Sequence, residues 1–371
     1  MIKKKLALII ISLDECFAQK GFSGGGHKVT KHLIEGLVAS GKFIIDIYCK
    51  KSSAKEIDGI NSITVLGSNN FKNNLQTCLK SENYDYILSS DILLPFANNL
   101  IHSNSSKHKS KNGKNKFLQQ VLKIYNAGKI KLQEKNIPRD KAVFTVSESL
   151  KNDYLINFNL DKKKVFVCYP AVDDYSEFMP SAKKDIFTIG SMAGGGLNKG
   201  GYLLLFALKR LPKTSKLKAR IIFPKFHKAL LFKTMINVLG LKDKIELLPK
   251  QANMQEYYKS IDCYVLPSLN EAFGLVVPEA ASNFKPSIVS STTGVRELIK
   301  DGENGFIFNR KKFPVKNLVD KLMEVENIYF NDNEKFMEIS KNAHEISTKL
   351  DWKEFVDTII DNMVRECHCE K

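Results

Sequence analysis

No apolar run in the chain approaches the roughly 18 residues that a bilayer-spanning helix needs, so nothing in it reads as a membrane anchor. Cysteine is sparse as well: seven in 371 residues, at positions 16, 49, 78, 168, 263, 367 and 369. An odd count without framework spacing excludes a disulfide scaffold and fits reduced thiols in a cytoplasm. The closing Cys-His-Cys would ligate a metal only with help from elsewhere. Tryptophan occurs once, as Trp352. Between Ser105 and Lys135 acidic residues almost vanish. Lys107, Lys109, Lys111, Lys114, Lys116, Lys123, Lys129, Lys131 and Lys135 face the single acid Glu134, the densest part of a formal net charge of +17. Such a surface attracts phosphates, on nucleic acid or on anionic lipid; a general richness in lysine is the plainer alternative.

What is present describes a folded chain. Apolar residues make up 43% and charged residues 26%, as in soluble globular proteins, and the length suggests two domains. The opening "MIKKKLALIIISLDEC" mimics a signal peptide, but its apolar patch runs into Asp14 and Glu15 where cleavage would need small residues. A first buried strand explains it better. Short β-branched runs then alternate with amphipathic stretches. "KKLALIIIS", "FIIDIYCK", "SITVLGS", "YDYILSS" and "NNLIHS" read as strands, and "HKVTKHLIEGLVASG" as a helix with Val29, Leu33, Leu37 and Val38 on one face. "AVFTVS" and "KVFVCYP" close this half, and the turn-rich stretch 169–185 reads as a linker. The alternation restarts at "DIFTIGSM" and continues to "GFIF", followed by three amphipathic segments, the last being "DWKEFVDTIIDNMV". Two such series predict two parallel sheets covered by helices, a doubly wound α/β architecture repeated.

Each half opens on a strand, a glycine cluster and a helix. The clusters are "GFSGGGHK" at 21–28 and "GSMAGGGLNKGG" at 190–201. Glycines let backbone approach a ligand, and a helix N-terminus favours an anion. Neither cluster matches the dinucleotide fingerprint, and Lys199 is followed by Gly200 where a P-loop needs Ser or Thr. Phosphate contact and simple tight turns both remain open for them.

The stretch "PSLNEAFGLVVPEA", residues 267–280, sets Glu271 and Glu279 eight positions apart, directly after the strand-like "DCYVLPS". Open α/β sheets bind ligands beyond the carboxyl ends of their strands, and this strand would deliver Glu271 to such an end. "LVVPEAASNF" is expected to be the next helix, opening with exposed amides at Phe273, Gly274 and Leu275. Glu279, about one turn in, would accept two hydroxyl donors at once. A solvated face for Glu279 and a helix cap for Glu271 are the bland alternatives.

From 267 to 308 the sequence "PSLNEAFGLVVPEAASNFKPSIVSSTTGVRELIKDGENGFIF" closely resembles the retaining glycosyltransferases of the GT-B fold, family 4, with their Glu-x7-Glu motif. "GGGHK", "VSESLKNDY", "KVFVCYPAVD", "IGSM…NKGG" and "NMQEYYKSIDCYVLPS" extend the resemblance over the whole chain. It implies two Rossmann-like domains facing across a cleft: residues 1–178 on the acceptor side, 179–350 for the donor, and 351–371 as a helix returning to the first domain. By the same resemblance Glu279 holds the nucleotide ribose, and Glu271 with the amides of Phe273, Gly274 and Leu275 orients the donor sugar. Lys199 neutralises the pyrophosphate, Gly25 and Gly26 bring backbone to the donor, and His102 is the active-site histidine bordering the sugar. Without the family, His102 is equally a polar strand end. The chemistry implied retains anomeric configuration without metal or other cofactor, the nucleotide-sugar being co-substrate. Many members place an arginine shortly after the glycine of the phosphate loop; this chain has Ser191 and Met192 there. The amides of Gly194 to Gly196, Lys225 or Arg296 are the expected substitutes.

The implied activity is hexosyl transfer, UDP-sugar favoured, to a lipid-linked or lipopolysaccharide-like acceptor. The enzyme would be cytoplasmic, with the segment Lys107–Lys135 resting on the anionic inner face of the membrane and nucleic acid not expected. A GT-B epimerase or hydrolase and a basic-surface binding protein with a degenerate sugar site are the competing expectations.

Overall fold

The computed structural model describes residues 3–17, 25–90, 92–105, 116–137, 141–173, 184–192 and 197–369. The chain forms two compact units, Met1–Pro170 together with Asp351–Lys371, and Ala171–Leu350. In the first unit the order is β1 (Lys4–Ser12), α1 (Leu13–Cys16), α2 (Gly25–Ala39), β2 (Phe43–Lys51), β3 (Ser62–Val65), α3 (Phe71–Ser81), β4 (Tyr86–Ser90), β5 (Asn98–Ile101), α4 (Lys116–Asn136), β6 (Val143–Thr145), α5 (Glu148–Phe158) and β7 (Val165–Val167). The seven strands pair in the order β3-β2-β1-β4-β5-β6-β7, every neighbour parallel. Central β1 explains the opening of the sequence. Leu6 to Ile10 are buried without a break, as expected of a parallel strand covered on both faces. Helix α2 buries Val29, Thr30, Leu33, Ile34 and Leu37, so Ile34 takes the inward place expected for Val38.

The second unit repeats the scheme with β8 (Phe187–Met192), α6 (Gly201–Arg210), β9 (Leu217–Ile222), α7 (Leu230–Val238), β10 (Ile245–Leu248), α8 (Met254–Lys259), β11 (Cys263–Leu266), α9 (Val276–Ala281), β12 (Ser287–Ser290), a 3-10 turn at Gly294–Leu298, β13 (Phe306–Phe308), α10 (Pro314–Asn331) and α11 (Asn333–Thr348). Its sheet runs β10-β9-β8-β11-β12-β13, again parallel throughout. Phe187 anchors the core, its ring 4.9 Å from Tyr329 and 6.2 Å from Phe336. Helix starts follow local chemistry. Asn253 accepts from Glu256 N–H to begin α8, Asp332 caps α11, and Pro314 opens α10. Cys16, Cys49, Cys78, Cys168 and Cys263 carry free thiols; burial pushes the Cys49 thiol up to about 11.

Helix α12 (Trp352–Cys369) belongs to the first unit and packs on α2. Trp352 stacks on His32, ring centroids 4.1 Å apart. A Cβ at Gly36 would lie 2.5 Å from Val356 Cγ2, so the two helices meet where only hydrogen fits. Gly36→Leu is therefore expected to lower unfolding stability in urea by about 1–3 kcal/mol. Gly36→Ala should do less, because the far end of the valine can shift. An unchanged midpoint for the leucine variant would mean that α12 does not pack there.

Candidate active site

Strand order reverses between β8 and β11 in the second unit. The loop after β8 carries Lys199 and the loop after β11 carries Glu271, so both leave neighbouring strands at the switch point where open α/β sheets take ligands. Several contacts fasten β8 to its neighbours, the first of them at the amino ends of β8 and β11. Asp262, buried just before β11, accepts from Thr188 N–H at 2.8 Å and from Lys184 Nζ at 3.2 Å, the donors a buried carboxylate needs. The Tyr257 hydroxyl accepts from Ser191 N–H at 2.8 Å and donates to Arg220 O at 2.7 Å, joining α8 to β8 and β9.

Lys199 and Glu271 are held together. Lys199 Nζ lies 2.6 Å from Glu271 Oε2, with Ser268 Oγ donating to the same oxygen at 3.4 Å. The lysine side chain remains 44% exposed, open to an anion. The two loops are fastened by their backbones. Leu269 N–H donates to Asn198 O at 2.7 Å. Gly200 has φ +72°, and a Cβ there would sit 2.0 Å from Pro267 O. Only glycine fits that position. On the other side the motif loop joins the segment after β12: Gly294 N–H donates to Glu271 O, and Val295 N–H to Phe273 O, each at 2.9 Å.

The helix after this loop starts later than expected, at Val276. Phe273, Gly274 and Leu275 form the turn before it, with Gly274 at φ +112°. All three residues are buried, and Phe273 and Leu275 belong to the core. Among the described residues the N–H groups of Gly274 and Leu275 donate to no protein acceptor, which leaves them available as donors ahead of the first turn.

Glu279 is 7% exposed, which removes the solvated-face alternative. Its Oε2 accepts from the Tyr258 hydroxyl at 2.9 Å. Burial, and after it the Glu279 carboxylate, push the Tyr258 pKa well above its ordinary value, so the phenol keeps its proton and remains a donor. Tyr264 is fully buried nearby, its pKa raised by burial and then by Tyr257, Glu279 and Glu271. This geometry can hold a hydroxyl-rich, anionic ligand: a fixed buried acceptor at Glu279, a cation at Lys199, a second carboxylate at Glu271 and backbone donors between them.

Sequence reasoning passed over Tyr258, for which the doubled tyrosine before the strand was the available signal. It also passed over Arg310. Its guanidinium, the pKa lowered by burial, donates from Nε to Pro267 O at 3.3 Å, and the Arg310 backbone N–H donates to Ser291 Oγ at 3.1 Å. A cation other than the Lys225 and Arg296 expected as substitutes therefore adjoins the loop that grips Gly200. Gly194 to Gly196 lie outside the described residues.

In the first unit Gly25 and Gly26 are the first two residues of α2. One turn on, Thr30 Oγ1 lies 2.8 Å from Ser90 Oγ at the end of β4, and Ser90 Oγ lies 3.1 Å from His102 Nε2. His102 immediately follows β5, so the histidine and the glycine-led helix meet at the carboxyl ends of the first sheet, beside its own reversal between β1 and β4. His27 Nε2 pairs with Glu15 Oε2 at 2.9 Å. The polar pair closing "YILSS" was the sequence signal for Ser90. Of the basic segment, Lys107 to Lys114 lie outside the described residues; Lys129, Lys131 and Lys135 are exposed on α4. No helix among the described residues is long and apolar enough to cross a membrane.

Two parallel-sheet α/β units of this kind match the fold of GT-B glycosyltransferase structures. Residues 177–346 match the family model of glycosyl transferases group 1. Among curated relatives, the O-antigen chain mannosyltransferase RfbU of Salmonella typhimurium is 26% identical over 184 residues, 49% of this chain and 50% of that protein. Sulfoquinovosyl transferase SQD2 of Arabidopsis thaliana is 34% identical over 103 residues, 27% and 19% of the two chains. The chain spans half or less of the length of the curated relatives it matches. Among solved structures, WaaG, a glycosyltransferase involved in lipopolysaccharide biosynthesis, superimposes with TM-score 0.72 at 15% identity, covering 96% of this chain and 99% of WaaG. Anabaena HepE in complex with UDP and glucose gives 0.70 at 15%, covering 98% and 100%. At these identities the superpositions speak for the fold.

Proposed function

We propose that the protein is a retaining glycosyltransferase that moves a hexose from a nucleoside-diphosphate sugar, UDP-linked by preference, to a cell-envelope glycan such as lipopolysaccharide or capsule. The observation that carries this reading is the grouping of Lys199, Glu271 and buried Glu279 at one switch point, inside the segment matched by the glycosyltransferase model. The UDP and glucose of the HepE complex and the lipopolysaccharide and O-antigen roles of WaaG and RfbU support donor and acceptor class.

In this reading Glu279 accepts the ribose diol and Lys199 exchanges Glu271 for the donor pyrophosphate. Glu271 then turns to sugar hydroxyls, with the amides of Gly274 and Leu275 beside it. The bond from the anomeric carbon to the phosphate oxygen breaks, its electron pair leaving with the nucleotide. The acceptor hydroxyl oxygen bonds to the same face, and its proton passes to the departing phosphate. Lys199 counters the charge that grows on that phosphate, Glu271 positions the sugar, and no metal or other cofactor takes part. His102, Gly25 and Gly26 are assigned as donor contacts on the resemblance. The site of action is the cytoplasm, with Lys107–Lys135 resting on the inner membrane face.

A panel of UDP- and GDP-sugars tests the donor assignment through protection against thermal unfolding. A donor held at 100 times its dissociation constant should add roughly 2.7 kcal/mol. One stabilising donor, followed by transfer with retained anomeric configuration in NMR, is the expected result. No protection by any donor, or release of an isomerised sugar without acceptor, would sink the proposal.

A further inference from the structure

Helix α7 has two apolar sides, and only one is used by the core. Phe232 and Ile236 are 2% and 6% exposed. Leu230, Leu231 and Val238 are 73%, 72% and 79% exposed. At 3.6 residues per turn, Leu230, Leu231 and Val238 fall within an arc of about 100°, with Thr234 among them. Lys233 and Asn237 separate the two sides, and the outer apolar arc is surface that an apolar surrounding would cover. Helix α6 lies beside α7. Tyr202 packs on Phe232 with ring centroids 5.5 Å apart, and Phe206, one turn further along α6, is 39% exposed.

The chain through this patch is strongly basic, the nearest acid in sequence being Asp243 just beyond Lys242. From Gly201 to Lys242 the chain carries ten lysines and arginines and no aspartate or glutamate. Lys209, Lys225, Lys233 and Lys242 are exposed at its borders. Lys209 Nζ lies 3.9 Å from the position of a Cβ on Gly240, and Lys233 Nζ lies 3.9 Å over the Phe226 ring.

We infer that the α6–α7 face is a docking surface for an anionic phospholipid bilayer. Leu230, Leu231 and Val238 enter the boundary between headgroups and acyl chains, and the bordering lysines meet the headgroup phosphates. A nucleic acid would engage the lysines but has no use for bare leucines. A second copy of this chain would bring one positive rim against another. Only the bilayer satisfies both halves of the surface.

The test is co-sedimentation of the full chain with vesicles of phosphatidylcholine alone and of phosphatidylcholine with phosphatidylglycerol in equal parts. The variant Leu230→Ser/Leu231→Ser/Val238→Ser leaves every charge in place, so its loss of binding cannot be credited to lysines elsewhere, those of α4 included. The expected result is wild-type binding to the anionic vesicles only, weakened at least about tenfold in the serine variant, at an unchanged thermal midpoint. Leu231→Trp gives a second readout: its added fluorescence should be quenched by brominated acyl chains. Equal binding by the serine variant, no binding by the wild type, no quenching, or a wild-type dimer that the serine variant abolishes would each overturn the inference.

Discussion

Glu279→Ala is expected to lower affinity for the nucleotide-sugar donor by about two orders of magnitude, while the protein still folds. Two hydroxyl donors to a buried carboxylate are worth about 3 kcal/mol together. The same change strands the Tyr258 hydroxyl, which now donates to Glu279 Oε2 at 2.9 Å, and this should reduce stability by about 1–3 kcal/mol. The quantity to compare is therefore the donor-induced rise in thermal midpoint, not the midpoint itself. Tyr258→Phe separates the two effects. It keeps the carboxylate and removes only what orients it, so a several-fold loss of donor affinity is expected. If Glu279→Ala is protected by the donor as fully as the parent, the ribose assignment is wrong. Should Tyr258→Phe match the parent in affinity, the phenol serves the fold alone.

Gly200→Ala should be the most disruptive single-methyl change in the second unit. Its φ of +72° is unfavourable for any L side chain, by about 1–2 kcal/mol. The new Cβ would stand 2.0 Å from Pro267 O, a backbone atom that cannot swing aside. Either the unit loses about 3 kcal/mol or more, or the loop lifts and separates Lys199 from Glu271. Both outcomes reduce donor protection. Gly302→Ala is the control, since Gly302 has φ +81° but nothing within 4 Å of the added carbon. It should lose only the backbone part, about 1–2 kcal/mol, and bind donor normally. Equal losses for the two variants in urea unfolding would show that the Pro267 contact carries no weight.

The fold was legible because parallel strands covered on both faces are written as continuous apolar runs. "LALII" and "DCYVLPS" each became an interior strand of a sheet. The paired glutamates were legible too, since they lie on one short segment whose strand end and turn residues are visible locally. Their surroundings were not. Tyr258 precedes Glu279 by 21 positions and Arg310 follows Pro267 by 43. Such contacts arise only when α8 and the chain beyond β13 fold back on β11. Burial of Phe273 and Leu275 escaped notice for a related reason. The turn they form is closed by the segment after β12, where Val295 N–H donates to Phe273 O, a partner distant in sequence.

The return of α12 to the first unit bears on how the molecule is made. That unit is interrupted at Pro170 and completed only from Asp351 onward. At about 5–20 residues per second, translation needs on the order of ten to forty seconds to reach its missing helix. Throughout that interval the nascent chain presents the groove at Gly36 and the ring of His32 without Val356 and Trp352 to cover them. The second unit, contiguous from Ala171 to Leu350, faces no such delay once it has cleared the ribosome. The half synthesised first is thus the half finished last, and chaperone demand should concentrate on it.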